Sequence, residues 1–136
     1  MKLFALLCAL VGFPTYAQCN LTTESFVEIE LETRELTVQG METRLTLLES
    51  NADIAAMNVE DLKIYDQIQQ VYNRYLCSAT QHLEYGAEYE GDVALHFIMN
   101  PEQQSQLVQI EDRFDYVSQQ IRALTFDLPT PVEEVL

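Results

Sequence analysis

Apolar side chains recur in steps of three and four near the C-terminal end of the chain. Such positions fall on one face of an α-helix, whose repeat is about 3.6 residues. Asn100 can cap the start of this helix, Pro101 suits its first turn, and Gln103 can complete a capping box. The spacing therefore predicts an amphipathic helix over 101–125, with a stripe formed by Leu107, Ile110, Phe114, Val117, Ile121 and Leu124.

A second helix is predicted over 58–90. Asn58 can cap its start, and Glu60 and Asp61 complement the positive end of the helix dipole. Gly91 follows its expected end. Its apolar arc is wide enough to contact more than one neighbour, so we expect this helix to be the central one. The arc consists of Ile64, Tyr65, Ile68, Val71, Tyr72, Tyr75, Leu76, Ala79 and Leu83.

The segment 25–50 carries two conflicting patterns. One helical face gathers Val27, Leu31, Val38, Met41, Leu45 and Leu48, and Ser25 with Glu28 would form a capping box. Residues 27–32, however, alternate apolar and acidic side chains, which is the period of a strand. No Asn-Gly or Asp-Gly pair supplies a hairpin turn, so a helix is favoured. Gly40 would then lie inside that helix at a cost of about 1 kcal/mol relative to Ala.

These segments predict an all-α fold, an up-down-up bundle of three helices near 25–50, 58–90 and 101–125. The alternative is an α+β fold with a small hairpin in 26–48. A single helical domain is expected over 18–125, because a chain of this length can bury one core but not two. Residues 126–136 lack helical periodicity and are expected to form an extended or disordered tail.

The first residues have the layout of a secretory signal peptide. Lys2 provides the positive start, 3–13 an apolar core too short to span a bilayer, and Ala17 a small residue at the cut. We expect 1–17 to be removed, with no membrane insertion afterwards. The protein is then exported, with a bacterial periplasm favoured and secretion as the alternative. Asn20 begins a glycosylation sequon that has meaning only in a eukaryote.

Two cysteines remain once the signal peptide, with Cys8, is removed. Disulfides persist outside the cytosol, and Cys77 falls on the polar side of the predicted 58–90 helix, where a free thiol would be reactive. A disulfide between Cys19 and Cys77 is therefore predicted, with the mature N-terminus laid across that helix as a strap. The competing arrangement is a disulfide between two chains.

Charge limits the classes of partner. The chain has 22 Asp and Glu against seven Lys and Arg, for a net charge of −15. Nucleic acids and anionic membrane surfaces are recognised through Lys and Arg, so neither is an expected partner. A basic protein partner remains, as does the simpler reading that the charge serves solubility.

Catalytic and metal-binding patterns are lacking. The serines show no nucleophile-elbow pattern, and neither cysteine is expected to be a free thiolate, so we predict that the protein is not an enzyme. His82 and His96 could in principle hold haem iron together with a methionine, but no Cys-x-x-Cys-His run is present. Hydrogen-bonded histidines at the edge of a core are the simpler interpretation. No cofactor and no metal are predicted.

Acidic and tyrosine side chains alternate near the end of the 58–90 segment. Aromatic anchors among polar groups are typical of protein interfaces, so this cluster is the candidate partner-binding site. The alternatives are an ordinary solvated surface and tyrosines that cover the connection at 92–99. The cluster consists of Glu84, Tyr85, Glu88, Tyr89, Glu90 and Asp92.

The sequence favours a non-catalytic, exported, acidic helical binding module. Its target would be a basic protein, as for an inhibitor or an immunity protein, because opposite charges speed encounter. The first alternative is a self-associating structural protein, a homo-oligomer in which the stripe from Leu107 to Leu124 packs against another copy. The second is a carrier of haem, a metal or a small ligand through His82 or His96.

Overall fold

The computed structural model describes Cys19 and residues 21–90 and 95–126, without the side chains of 88–90 and 126. Within these residues the chain is helical and contains no strand. The predicted signal peptide and most of the predicted tail lie outside the described residues. The helices are α1 (Thr23–Glu49), α2 (Ile54–Arg74), α3 (Ala79–Glu90), a short 3₁₀ helix (Leu95–Ile98) and α4 (Pro101–Phe126).

Helix α1 confirms the helical prediction for 25–50 and shows that the hairpin alternative is wrong. Its capping box is formed by Thr22 and Ser25 instead of Ser25 and Glu28. Threonine is a residue that favours strands, yet Thr33 and Thr37 each donate a hydroxyl hydrogen bond of 2.8 Å to the carbonyl four residues earlier. These bonds satisfy the hydroxyls within the helix, so the helical apolar face prevails over the local strand preference.

The prediction of one continuous helix over 58–90 is wrong, because the chain breaks between α2 and α3. Helix α2 begins earlier than predicted, at Ile54, with Asp53 as its N-cap, and ends at Arg74. Leu76 follows with a left-handed φ of 55°. The Cys77 amide donates to the Tyr72 carbonyl at 3.1 Å, which closes a Schellman motif.

Helix α3 has its own start signal. Ser78 Oγ accepts a hydrogen bond from the Gln81 amide at 3.1 Å, and Gln81 Oε1 accepts one from the Ser78 amide at 2.9 Å. This reciprocal pair is a capping box, which lets a new helix begin directly after the turn.

Helix α1 lies at the centre of the fold, so the prediction of a central 58–90 helix is wrong. It packs against both α2 and α4, and no comparably extensive contact joins α2 to α4 among the described residues. Arg44 pairs with Asp61, and Glu32 with Arg74, so α2 runs antiparallel to α1. The described chain thus has four α-helices, three of them long, instead of the three that were predicted.

Helix α4 begins as the sequence predicts. The Asn100 side chain accepts from the Gln103 amide at 2.8 Å, and the Gln103 side chain accepts from the Asn100 amide at 3.0 Å. Leu107 then packs with Val27 and Met99 in a buried cluster that Leu31, Leu95 and Ile98 border. Further along α4, Ile110 and Val117 are also buried.

Gly40 allows α1 and α2 to approach closely. A Cβ atom added at Gly40 would lie 3.1 Å from Cγ1 of Ile64, tighter than an ordinary van der Waals contact. The glycine that weakens an isolated helix therefore makes room for the neighbouring one.

The predicted disulfide between Cys19 and Cys77 is present, with 4.8 Å between the Cα atoms. Its setting differs from the prediction: Cys77 is fully buried, at the turn between α2 and α3, instead of lying on the polar side of a helix. The bond ties the chain before α1 to this turn.

Candidate functional site

The sequence-predicted partner cluster is described only in part. Glu84 is exposed on α3, and Tyr85 is half-buried with its ring centroid 5.4 Å from that of Phe26. Tyr85 therefore belongs to the packing between α3 and α1. The side chains of Glu88, Tyr89 and Glu90, and the whole of Asp92, lie outside the described residues.

The cations of the described chain are largely used in ion pairs. Arg122 is the exception, since it has no ion pair within the described residues. Each of the other cations contacts at least one carboxylate within 3.1 Å. These are Arg34, Arg44, Lys63, Arg74 and Arg113. The carboxylates without a cationic partner consequently dominate the outer surface.

Arg113 joins α4 to α1. Its guanidinium contacts Glu35 at 2.7 Å and also binds Glu42, so it bridges two carboxylates of α1. The hydrogen bond from Arg113 lowers the pKa of Glu35 below its usual value, although burial opposes that shift. The same two carboxylates raise the pKa of Arg113. The positive charge of Arg113 is therefore neutralised by carboxylates of the same chain.

A second polar contact lies between α1 and α2. The Tyr75 hydroxyl donates to a Glu28 carboxylate oxygen at 2.6 Å. This bond raises the pKa of Tyr75 to about 12, because ionisation would place two negative charges side by side.

His82 is buried between α1, α2 and α3. Its Nε2 lies 2.7 Å from a Glu30 carboxylate oxygen, its ring stacks on Phe26 at 4.4 Å, and Tyr72 approaches its edge at 5.7 Å. A hydrogen-bonded core histidine is therefore what the structure shows. Nδ1 of His82 is buried without a hydrogen-bond partner in the described part of the chain.

Glu30 binds Arg34 as well as His82. Burial favours the neutral acid, but the hydrogen bonds from His82 and Arg34 outweigh it and lower the pKa of Glu30. Arg34 Nε lies 2.9 Å from Glu30. The positive charge of Arg34 is thus compensated where it faces the space between α2 and α4.

That space is an open groove of about 410 Å³, which we call the α2–α4 groove. Helix α1 forms its floor, and α2 and α4 form its walls, because both helices pack on α1 and, in the described chain, make no comparably extensive contact with each other. The floor consists of Thr33, Arg34, Thr37 and Val38, and the walls of Ile68 and Tyr72 on α2 and Ile110, Glu111, Phe114 and Asp115 on α4.

Two kinds of side chain meet in the groove. Phe114 is 44 % exposed, an unusual position for a large aromatic ring on the apolar stripe of a helix. Glu111 and Asp115 lie one turn apart on the same wall, and both are exposed. The arrangement offers apolar contacts at the centre and negative charge at one edge.

The groove continues along the seam between α1 and α2. A second depression shares Thr37 and Ile68 with it and extends to Tyr65, which is 68 % exposed. The combined floor runs from Thr33 to Arg44 on α1, about 17 Å at 1.5 Å per residue. This length accommodates about three turns of a helix.

The groove cannot be seen in the sequence, because its residues come from three separate helices. Phe114 was assigned to the core stripe, and Glu111 and Asp115 were indistinguishable from other acids. The only sequence signal is the position of these acids beside the apolar stripe of α4, which becomes informative once α4 is known to leave part of that stripe uncovered.

His96 does not share the surroundings of His82. It is half-buried in the 3₁₀ helix, with Nε2 3.9 Å from a Glu111 carboxylate oxygen. In the described part of the chain, no group of three or more His, Cys, Asp or Glu side chains is placed to hold a metal ion.

Comparison with known proteins adds no assignment. No protein-family model, curated protein or solved structure matches this chain. Within the residues that the structure describes, every helix is too short or too polar to cross a bilayer.

Proposed function

We propose that this protein is a non-catalytic, exported binding module that engages a basic protein through its acidic helical surface. An inhibitor of a cationic enzyme or an immunity protein against a cationic toxin has this character. The observation that carries the proposal is the use of the cations: five of the six Lys and Arg in the described chain are ion-paired internally.

The charge of the chain supports the proposal. A net charge of −15 produces a negative electrostatic field around the molecule. Because most of the described cations are paired with carboxylates of the same chain, they do not form positive patches within that field. A field of one sign attracts a partner of the opposite sign and speeds its encounter, an effect that salt weakens.

Affinity capture tests the proposal. The oxidised mature protein is immobilised and exposed to the extracytoplasmic fraction of the organism that makes it, at about 50 mM and about 500 mM salt, where the screening length differs about threefold. We expect a basic protein to be retained at low salt and released at high salt. Retention of no basic protein at low salt would remove the main support for the proposal.

Self-association is the second candidate function. It is favoured by large apolar side chains exposed on α2, among which Ile54 and Leu62 are 71 % and 68 % exposed. The α4 stripe, which the self-association alternative placed against another copy, is buried within the chain at Leu107, Ile110 and Val117. Light scattering of the mature protein at micromolar concentration separates the two functions, since a monomeric protein would exclude self-association.

A further inference from the structure

The α2–α4 groove has the dimensions and lining of a site for one amphipathic helix. Its floor is about 17 Å long, and apolar side chains project into it from α1, α2 and α4. A helix bound in such a groove presents apolar residues at i, i+3 or i+4 and i+7, and buries them against the floor and walls.

The charges that line the groove indicate which kind of helix it binds. Glu111 and Asp115 line the α4 wall. Arg34 is the one Lys or Arg among the described residues that line the central groove, and it is paired with Glu30 at 2.9 Å. Arg44, farther along the seam, is likewise paired with Asp61 at 2.9 Å. Lys or Arg beside the apolar face of a bound helix would therefore meet two carboxylates that no Lys or Arg of the described chain pairs with. Of the two, Glu111 has only His96 nearby, at 3.9 Å.

The same charge argues against a second copy of this chain as the occupant. Two chains that each carry a net charge of −15 repel one another, so the groove of one attracts the surface of another only through apolar contacts. A basic helix gains from both the apolar floor and the acidic wall.

We propose that the α2–α4 groove binds an amphipathic, basic helix of the partner protein. This inference rests on the proposed function and assigns it a location. Apolar side chains of the bound helix pack against Ile68, Tyr72 and Phe114, and its Lys or Arg side chains face Glu111 and Asp115.

A fluorescent reporter can be placed in the groove, because the chain contains no Trp. Phe114→Trp introduces a ring of similar shape at a half-exposed position. Tyr116→Trp is the matched control on the same helix, since Tyr116 is 63 % exposed and does not line the groove. Circular dichroism verifies that both variants keep the helical content of the parent.

The probe is a synthetic peptide of about 14 residues, or four helical turns, with Leu at i, i+3, i+4 and i+7 and Lys elsewhere. A shuffled peptide of equal composition is its control. We expect the amphipathic peptide to shift the emission of the Phe114→Trp protein to shorter wavelength, with no shift for Tyr116→Trp or for the shuffled peptide.

Charge variants give a second, independent measurement. Glu111→Gln with Asp115→Asn removes two charges from the groove, and Glu102→Gln with Asp112→Asn removes two from elsewhere on α4. Anisotropy of the labelled peptide should show affinity reduced about fivefold for the first pair of substitutions and little changed for the second, since the first removes two exposed ion pairs, each of which contributes modestly. An equal loss of peptide affinity in the two double variants would overturn the placement of the binding site in the α2–α4 groove.

Other outcomes overturn the inference without touching the proposed function, which the capture experiment judges separately. One is peptide binding that leaves the Phe114→Trp emission unchanged, and another is no peptide binding at all. If the Phe114→Trp emission, measured in the absence of peptide, changes with protein concentration, a second copy of the chain is the occupant of the groove. A shift of the Phe114→Trp emission when residues 127–136 are removed would identify the chain's own C-terminal segment as the occupant of the groove.

Discussion

Leu76 carries a backbone conformation that rarely suits its side chain. Its φ of 55° lies in the left-handed region, where a Cβ atom crowds the following carbonyl. Asn51 occupies the equivalent position after α1, and Asn tolerates this conformation better than Leu. The turn after α2 is therefore held by its Schellman hydrogen bonds and by the disulfide at Cys77, in spite of the residue at its centre.

Leu76→Gly should increase the free energy of unfolding by about 1 kcal/mol, because glycine adopts the left-handed region without steric cost. Leu76 is about half exposed, so little burial is lost. Leu83→Gly is the matched control: Leu83 is also exposed but lies inside α3, where glycine should lower stability by about 1 kcal/mol. Urea unfolding of both variants measures the difference, and equal signs would contradict the account.

Glu30→Gln should lower stability by about 1–2 kcal/mol at neutral pH, because it removes charge-assisted hydrogen bonds to His82 and Arg34. The folded-state pKa of Glu30 is lowered, so its contribution is complete above its unfolded pKa and is lost as pH falls through the folded value. The difference in the free energy of unfolding between the variant and the parent should therefore shrink as the pH falls from about 7 to about 2. Unfolding curves recorded at several pH values measure it.

Glu24→Gln is the control for this titration. Glu24 is an exposed carboxylate in the first turn of the same helix, without an ion pair in the described chain. A convergence as large for Glu24→Gln as for Glu30→Gln would show that the acid sensitivity is not located at the His82 contact.

At the scale of elements, α1 organises the fold by contacting both α2 and α4. Gly40 sets the close approach to α2, and Arg113 links α4 to Glu35 and Glu42. Because α2 and α4 each use one side of α1, the surface between them stays open and forms the groove. The groove is thus a consequence of packing two helices on a third.

Gly40→Leu should lower stability by about 2 kcal/mol, since the added side chain meets Ile64 and forces α1 and α2 apart. Combined with Ile64→Ala, which makes room, the loss should be smaller than the sum of the two single effects. Gln39→Leu, an exposed neighbour, should change stability by less than about 0.5 kcal/mol. Additive losses at Gly40 and Ile64 would contradict the proposed close contact.

Local signals predicted the elements better than their arrangement. The N-cap at Asn100 and the apolar stripe that follows it predicted α4 correctly, because capping and periodicity depend on residues that are neighbours in sequence. The break after Arg74 was missed because Leu76 replaces the glycine that usually marks such a turn, although Ser78 and Gln81 formed a readable capping box. Periodicity identifies apolar faces but not their partners, so neither the central position of α1 nor the groove followed from it.

At the scale of the whole molecule, the disulfide joins the chain before α1 to the turn between α2 and α3. The two cysteines are 58 residues apart in sequence, and Cys77 is fully buried. The bond therefore restricts the conformations of the unfolded chain, and in the folded protein it holds the turn at which Leu76 adopts an unfavourable backbone conformation.

Replacement of both cysteines, Cys19→Ser with Cys77→Ala, should lower the free energy of unfolding by about 4 kcal/mol, the loop-closure value for this separation. Denaturant unfolding of the double variant and of the oxidised parent measures the difference. Addition of a reductant should bring the parent close to the variant and leave the variant unchanged. A loss below about 1 kcal/mol would contradict a constraining role for the bond.

Electrostatic attraction of a basic protein is the central claim, and the association rate tests it most directly. The rate constant for the mature protein and its captured partner is measured at about 50 mM and about 500 mM salt. We predict a decrease of at least about tenfold at high salt, because steering between opposite charges is screened. A rate constant that is the same at both salt concentrations would contradict the account.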